Sequence, residues 1–433
     1  MVETDITRKE ILGLNMQPEP TSEIKSISNL PKITSVILTK EFELLPNTSE
    51  VFELEFAFYE HRFLTKDEII HRGAFFKSVD GIPTYHYIIC SNNSPLVWEG
   101  RSEITRSYFK EGSFSTGYAT HGLFPYRGKF HPQLIKGILN ILKVQQEDVV
   151  LDPMCGSGTL NVEASIIGID SIGIEKSPFC VLMSKVKQEA LKIENAQLSS
   201  ILRDMHKNYK ILISSKKLPE DFSYHNGFNP EKAVTLLAFL DAMGYARRCS
   251  KSIDVLFPSV LKRYVGQIGS FVHARDKLKL KIGKARFEPG DAKHLPLEDN
   301  SIDGIITSPP YSFAIDYAEN DRPQLEYLGY DVSKLKDEMI GLVGKTRKEK
   351  LANYFEDMNK VLSEMSRILK IGKYAVIIIG SNDVQTGGIR LETKVEEMAL
   401  KHGFVLDQKM VKPIKGIQNT MRDEYMLFLR RVK

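Results

Sequence analysis

The stretch Val149–Thr159, VVLDPMCGSGT, decides the fold class because a short apolar strand runs directly into a glycine turn. The strand ends at Asp152, and the turn opens a segment whose apolar spacing predicts a helix to about Ile167. A buried strand, a glycine turn and a helix in this order are typical of the first unit of a parallel α/β sheet. The stretch therefore predicts a parallel α/β sheet.

The same alternation of strand and helix continues on the C-terminal side. The closing segments have an antiparallel pattern, so the sequence predicts a Rossmann-like α/β sheet that ends in an antiparallel hairpin. Further strands are predicted at Ser171–Ile174, Ala285–Glu288, Ile302–Thr307 and Tyr374–Ile379, helices at about Pro178–Lys192, Tyr354–Leu369 and Glu392–His402, and the hairpin at Phe404–Met410 and Glu424–Leu429.

The 433-residue chain is too long for one ordinary core, so we expect several regions. Alternating apolar and polar residues at Ser35–Leu38 and Val51–Phe58 predict β-strands near the N-terminus. The predicted regions are a flexible arm (1–32), a small β-containing region (33–117), a catalytic domain (118–192 and 285–433) and a basic inserted subdomain for recognition of the substrate (193–284).

Composition favours an ordinary globular protein with a reducing, cytoplasmic location. Hydrophobic residues make up 42% of the chain, and no run reaches the roughly 18 apolar residues that span a bilayer. No signal peptide is expected at the N-terminus. The four cysteines are scattered without paired spacing, so neither a metal site nor a disulfide framework is predicted.

The ends of the first three predicted strands carry residues suited to an adenosine. Gly156 and Gly158 let the backbone approach a ligand, Glu175 ends the second strand, where it could accept both ribose hydroxyls, and Asp291 follows the third, where it could bind an adenine amine. The turn lacks the lysine of a phosphate-binding loop and the third glycine of a dinucleotide site. An adenosine-containing cofactor is therefore predicted at this edge.

Ser308-Pro309-Pro310-Tyr311 follows the fourth predicted strand and would lie beside that cofactor. Two prolines hold an extended turn in which a carbonyl and the serine hydroxyl could converge on one planar amine. Accepting both N–H groups would favour a pyramidal nitrogen with its lone pair toward an electrophile. Tyr311 could stack on the base. Cys155 lies in the cofactor turn, so we interpret it as a packed cysteine rather than a nucleophile.

In these motifs the chain resembles the amino-methyltransferases of DNA, especially the N4-cytosine group. Asp152–Thr159 resembles the cofactor turn of that family, Thr307–Tyr311 its catalytic loop, and Thr120–Pro132 the segment that contacts the methionine part of the cofactor. The resemblance covers residues 118–192 and 285–431 and implies the class I methyltransferase fold, S-adenosylmethionine as methyl donor and no metal. The residues that it implies for cofactor binding, beside those above, are Lys129, Phe130, Asp152, Pro153, Cys155 and Thr159.

The resemblance also implies duplex DNA as the partner, and the charge distribution agrees with it. Between Ser200 and Arg286 there are 17 Lys and Arg against 7 Asp and Glu, whereas the whole chain carries only +4. A base must be extruded from the duplex before it reacts, and contacts to phosphates can offset that cost. The predicted nucleic-acid-binding residues are Arg247, Arg248, Lys262, Arg263, Lys277, Lys279 and Lys281, the last three in a strand-like alternation.

Alternatives remain open at this point. Adenine N6 presents the same N–H geometry as cytosine N4, and related loops serve base amines in RNA. The enzyme could be half of a restriction–modification system, with a cognate endonuclease as partner, or act alone. A nucleic-acid-binding protein with a vestigial fold is a further hypothesis, and the basic region could be only a solvated face. The sequence does not give the oligomeric state.

Overall fold

The computed structural model describes residues 39–45, 48, 50–91, 117–126, 128–224, 227–310, 316–381, 386–414 and 423–433. Glu41–Lys433 form one compact unit. Its strands are β1 (Phe42–Leu44), β2 (Phe76–Val79), β3 (Ile82–Pro83), β4 (Val149–Asp152), β5 (Asp170–Glu175), β6 (Ala285–Pro289), β7 (Ile302–Thr307), β8 (Leu369–Gly380), β9 (Phe404–Pro413) and β10 (Asp423–Arg431).

The helices of the N-terminal and central parts are α1 (Val51–Phe63), α2 (Lys66–Arg72), α3 (Tyr85–Ser91), α4 (Pro132–Ile141), α5 (Thr159–Ile166), α6 (Pro178–Ala190), α7 (Asn195–Arg203), α8 (Met205–Ser214), α9 (Pro230–Ala246) and α10 (Ile253–Leu278). Those that follow are α11 (Tyr317–Asn320), α12 (Arg322–Tyr327), α13 (Val332–Lys336), α14 (Arg347–Ile368) and α15 (Leu391–Lys401).

Seven strands form one sheet in the order β6-β5-β4-β7-β8-β10-β9. Pairing is parallel from β6 to β8, and β10 lies antiparallel between β8 and β9. The predicted Rossmann-like sheet with its C-terminal antiparallel hairpin is thus confirmed. Strand order reverses between β4 and β7, the point where ligands bind in open parallel sheets. The two motifs therefore leave the sheet on either side of its switch point.

The N-terminal region contains β-structure, but one predicted strand is wrong. The β1–β3 strands form a three-stranded sheet, whereas Val51–Phe58 lies in helix α1 and Ser35–Leu38 lies outside the described residues. Glu50 and Glu53 form a capping box at the start of α1. Phe56 and Glu60 are buried within it. Capping and tertiary packing override the strand-like alternation here.

The inserted residues pack as helices α7–α10 and share a hydrophobic core with α6. Phe179 and Met183 of α6 belong to the same buried cluster as Phe239 of α9 and Ile268 of α10. The predicted strand-like alternation at Lys277–Lys281 is wrong, because α10 continues to Leu278 and ends at Lys279, whose φ is 52°. The insertion is therefore helical and continuous with the packing around the sheet.

Candidate functional site

The glycine turn after β4 has a backbone that only glycine adopts without strain. Gly156 and Gly158 have φ values of 49° and 72°, and Gly158 immediately precedes α5. A Cβ on Gly158 would lie 2.8 Å from the Cβ of Ser184 in α6. Both the left-handed conformation and the close approach of α6 therefore require glycine at position 158.

Glu175, at the end of β5, joins this turn to the neighbouring strand. Its two carboxylate oxygens accept backbone N–H groups, Oε2 from Gly156 at 2.7 Å and Oε1 from Ser177 at 2.9 Å. Burial raises the pKa of Glu175, while these backbone hydrogen bonds oppose the rise. Each oxygen retains a second lone pair, so the carboxylate can still accept a hydroxyl.

Asp152, at the end of β4, connects the two predicted motifs. Its Oδ1 accepts a hydrogen bond from Thr307 Oγ1 at 2.7 Å and one from the Met154 N–H at 3.1 Å. Oδ2 is buried with no hydrogen-bond partner among the described residues. Burial raises the pKa of Asp152 to about 7. Because Thr307 directly precedes Ser308, Asp152 fixes the end of β7 against the glycine turn.

The glycine turn and the Ser-Pro-Pro segment line one cleft. It encloses about 780 Å³ of empty space, open solvent included. Predicted site residues on its wall are Pro153, Gly156, Glu175, Asp291, Ser308 and Pro310.

The other predicted residues of the two motifs lie around this cleft. Cys155 and Thr159 are buried behind the turn with Gly158, and Pro309 is buried beside Ser308. Lys129 donates to the His121 carbonyl at 3.1 Å, and neither Lys129 nor Phe130 lines the cleft. Tyr311 lies outside the described residues.

Several cleft residues were not assigned from the sequence. Tyr126 and Tyr317 stack with ring centroids 6.2 Å apart, and Tyr126 lies in the Thr120–Pro132 segment that the family resemblance had already marked. Met339, Ile340 and Leu342 form an apolar part of the wall for which the sequence has no motif.

The predicted nucleic-acid-binding residues do not form one surface of equal exposure. Arg247 and Arg248 are exposed at the end of α9, and Lys262 is exposed on α10. Arg263 instead binds the buried carboxylate of Asp241 at 2.7 Å, and its side chain is only 12% exposed. Lys277, Lys279 and Lys281 are exposed around the end of α10.

The described residues include neither a cluster of metal ligands nor a membrane-spanning helix. Within the part of the chain that the structure describes, no three His, Cys, Asp or Glu side chains are grouped as a metal site would require. No helix among those same residues is both long and apolar enough to cross a membrane.

Comparisons with known proteins find similarity to methyltransferases. The UPF0020 family (RMKL-like, methyltransferase domain) matches residues 123–217. The Type II methyltransferase M.MjaII of Methanocaldococcus jannaschii is 42% identical over 101 residues, which cover 23% of this chain and 18% of that protein. The Type II methyltransferase M.BsoBI of Geobacillus stearothermophilus is 22% identical over 280 residues, 50% of this chain and 54% of that protein.

A shorter match is to an enzyme of RNA. The tRNA (guanine(10)-N2)-dimethyltransferase of Methanocaldococcus jannaschii is 41% identical over 44 residues, 10% of this chain and 12% of that protein. The chain spans about half or less of the length of these three relatives. The matches to the Type II methyltransferases and to the UPF0020 family confirm the predicted resemblance to DNA methyltransferases.

Proposed function

We propose that this relative of the DNA methyltransferases transfers a methyl group from S-adenosylmethionine to an exocyclic base amine of duplex DNA, with N4 of cytosine as acceptor. The observation that carries the proposal is the shared cleft, in which Gly156 and Glu175 of the cofactor side face the same space as Ser308 and Pro310. A donor bound at one wall and an amine held at the other would be close enough for direct transfer.

The residues of the cleft fit S-adenosylmethionine. Gly156 leaves its wall without a side chain, and the Glu175 carboxylate, held by two backbone N–H groups, can accept ribose hydroxyls. Asp291 is the candidate for the adenine amine; its Oδ1 accepts the Lys293 N–H at 3.0 Å, and the apolar Met339 and Ile340 offer a surface for the adenine ring. The bound cofactor would supply an electrophilic methyl group on sulfonium, so the protein has only to bind and orient.

The amine side depends on hydrogen-bond acceptors held in place. An exocyclic amine is a weak nucleophile because its lone pair is delocalised into the ring. Ser308 Oγ and a backbone carbonyl of the Pro309–Pro310 turn would each accept one amine N–H and favour a pyramidal nitrogen. The hydrogen bond from Thr307 to Asp152 fixes the start of this turn relative to the cofactor wall. The proton leaves the methylated amine to solvent.

Duplex DNA, base extrusion and a role in restriction–modification belong to the same proposal. The similarity to two Type II methyltransferases supports DNA as substrate. A cognate endonuclease as partner is part of the proposal. Arg247, Arg248 and Lys262 are exposed cations available to phosphates that offset the cost of extruding a base. On this proposal the enzyme works in the cytoplasm, where its substrate lies.

The test is methylation of unmodified phage DNA by the purified chain, followed by digestion and nucleoside mass spectrometry. We expect N4-methyldeoxycytidine in the wild-type reaction. Ser308→Ala should lower kcat about 100-fold, the size expected for losing one preorganised hydrogen bond in a transition state. Its affinity for S-adenosylmethionine, measured by calorimetry, should stay within twofold of wild type. No methylated nucleoside in DNA would overturn the proposal.

The same experiment distinguishes two alternative acceptors of the methyl group. N6-methyldeoxyadenosine would transfer the assignment to adenine with the mechanism unchanged. The match to a tRNA methyltransferase favours RNA as a second candidate substrate. Methylation of total tRNA without methylation of DNA would establish that candidate in place of ours.

A further inference from the structure

A second cavity adjoins the cofactor cleft and has no part in the mechanism above. It encloses about 1040 Å³ of empty space, open solvent included, and shares Tyr126 and Tyr317 with the first cleft. Its remaining wall comes from Phe124 and Pro125, from the C-terminal end of α9 with the two arginines that follow it, and from residues 319–321 and Gln324 of α12. The stacked Tyr126 and Tyr317 rings therefore form a partition with the cofactor cleft on one side and this cavity on the other.

Asp321 in this wall is a buried acid without a structural role. It is 8% exposed and precedes α12, where an aspartate normally caps the helix, yet its side chain makes no capping hydrogen bond. Its carboxyl group has no hydrogen bond and no ion pair with any described residue. Burial, with Glu175 adding to it, raises the pKa of Asp321 to about 7. A carboxyl group left without partners at a cavity wall is available to a ligand.

Gln324, one turn along α12, adds a second unused polar atom. Its Nε2 donates to the Leu240 carbonyl of α9 at 3.1 Å, which fixes the side-chain amide, while Oε1 is buried with no hydrogen-bond partner among the described residues. Gln324 is 3% exposed and lines the same cavity as Asp321. Asp321 and Gln324 thus bring two polar side chains to the cavity wall from a single helix end, a pattern suited to the polar edge of a ring.

The mouth of the cavity carries the opposite charge. Arg247 and Arg248, exposed at the end of α9, line it, and neither forms an ion pair with a residue that the structure describes. The Arg248 Nε–H donates to the Gly244 carbonyl at 3.1 Å, which holds its guanidinium near this mouth. Polar groups inside and two arginines at the rim match a nucleotide, with the base inward and its phosphate outward.

We propose that this cavity binds a nucleotide of the substrate strand next to the one that is methylated, with Asp321 and Gln324 contacting the polar edge of its base and Arg247 and Arg248 holding its phosphate. The assignment rests on the proposed function, since it needs a nucleic-acid substrate. It makes Asp321 and Gln324 positioning residues that influence which base is accepted beside the methylated one. It also separates Arg247 and Arg248 from the other predicted nucleic-acid-binding residues of the insertion, which do not line this cavity.

The test compares variants of the full-length chain under conditions in which the wild type methylates phage DNA. Asp321→Asn keeps the shape of the side chain, so we expect it to raise KM for DNA at least tenfold. The affinity for S-adenosylmethionine should stay within twofold of wild type. For the double variant Arg247→Ala/Arg248→Ala, the slope of log KM against log salt concentration should fall by about two, since two phosphate contacts are lost.

The matched control is Arg203→Ala/Lys207→Ala, which removes two exposed cations from the same helical insertion away from the cavity. It should leave both KM and the salt slope within twofold of wild type. Gln324→Leu serves as a second variant, with the melting temperature checked for each protein. An Asp321→Asn enzyme with wild-type KM, or equal salt slopes for the two double variants, would overturn the nucleotide site while leaving the proposed function intact. A wild type that methylates no DNA would overturn both.

Discussion

The region around α5 and the wall of the second cavity each bury a carboxyl group, but they surround it differently. Glu163 of α5 is fully buried and receives hydrogen bonds at Oε1 from Tyr118 and His121, both at 2.6 Å, with Lys136 Nζ 3.2 Å from Oε2. Asp321 has no such partners. Burial by itself raises the pKa of Glu163, but Lys136, His121 and Tyr118 together hold it at about 2.

This difference separates a structural acid from one available for binding. Glu163 links α5, directly behind the glycine turn, to α4 and to the 117–121 segment, so its partners are internal. Burial lowers the pKa of His121 to about 4, so its neutral ring donates to Glu163 through Nε2 at neutral pH. A buried polar group whose partners lie inside the protein stabilises the packing. A buried polar group without such partners can form its hydrogen bonds with a ligand.

The largest loss of stability is expected when Glu163, the buried acid with three partners, is replaced. Glu163→Ala leaves the Lys136 ammonium buried without its carboxylate, and removing one member of a buried pair costs about 3–5 kcal/mol. We expect a loss near the upper end in the free energy of unfolding, measured by urea denaturation. Glu163→Gln, which retains an acceptor for Tyr118, should lose less. Equal stability of the alanine variant and the wild type would refute the structural role.

Asp241 is an intermediate case, with one cation and one hydroxyl as partners. Its Oδ2 receives Arg263 at 2.7 Å and the Tyr264 hydroxyl at 3.0 Å. Arg263→Ala should therefore cost about 3 kcal/mol of unfolding free energy, less than Glu163→Ala because Tyr264 still donates.

DNA binding by Arg263→Ala shows whether Arg263 also contacts DNA. If Arg263 has only this structural role, the salt dependence of DNA binding should stay that of wild type when measured by fluorescence anisotropy. A weakened salt dependence at unchanged stability would return Arg263 to the DNA-contacting set.

Replacing Asp321, the buried acid without partners among the described residues, should raise the free energy of unfolding at high pH instead of lowering it. The pKa of Asp321 in the folded chain, about 7, lies above the ordinary value of 3.8, so folding binds an extra proton between these pH values. Wild-type stability contributed by this group is therefore lost as pH rises from about 4 to about 7. Asp321→Asn does not titrate. It should match the wild type at about pH 4 and exceed it by about 1–3 kcal/mol at pH 8 in urea denaturation. A variant less stable than wild type at pH 8 would show that the carboxylate has a stabilising partner.

The smallest effect on stability is expected for an ion pair at the protein surface. Lys360 and Glu356 of α14 form an i,i+4 ion pair at 2.7 Å with largely exposed side chains. Both charges are hydrated before and after folding, so Lys360→Ala should leave the urea midpoint unchanged within error. A loss comparable to that of Arg263→Ala would mean that burial is not what distinguishes these acids.

The sequence predicted the sheet because its signals are local. The strands β4 and β7 are short, largely apolar runs that end at a recognisable turn, and Gly156 and Gly158, both at positive φ, mark the turn after β4. The cofactor and amine motifs follow neighbouring strands, so parallel topology alone predicted that Gly156, Glu175 and Ser308 would share an edge. Their common cleft agrees with that expectation, and their chemical roles remain proposals.

What only the tertiary structure decided depends on partners distant in the chain. Val51–Phe58 alternates like a strand but forms α1, because capping at Glu50 and burial of Phe56 outweigh a weak local preference. Arg263 resembles any other basic residue until Asp241, 22 positions away, is seen beside it.

The partners of the buried acids Glu163 and Asp321 are also decided by the tertiary structure. Spacing along the chain does not show that Glu163 has three partners and Asp321 none, since burial and pairing arise only when α4, α5, α9 and α12 pack. Local sequence determined the strands and the two motifs. Packing alone determined which charged groups are satisfied inside the protein and which remain available to a substrate.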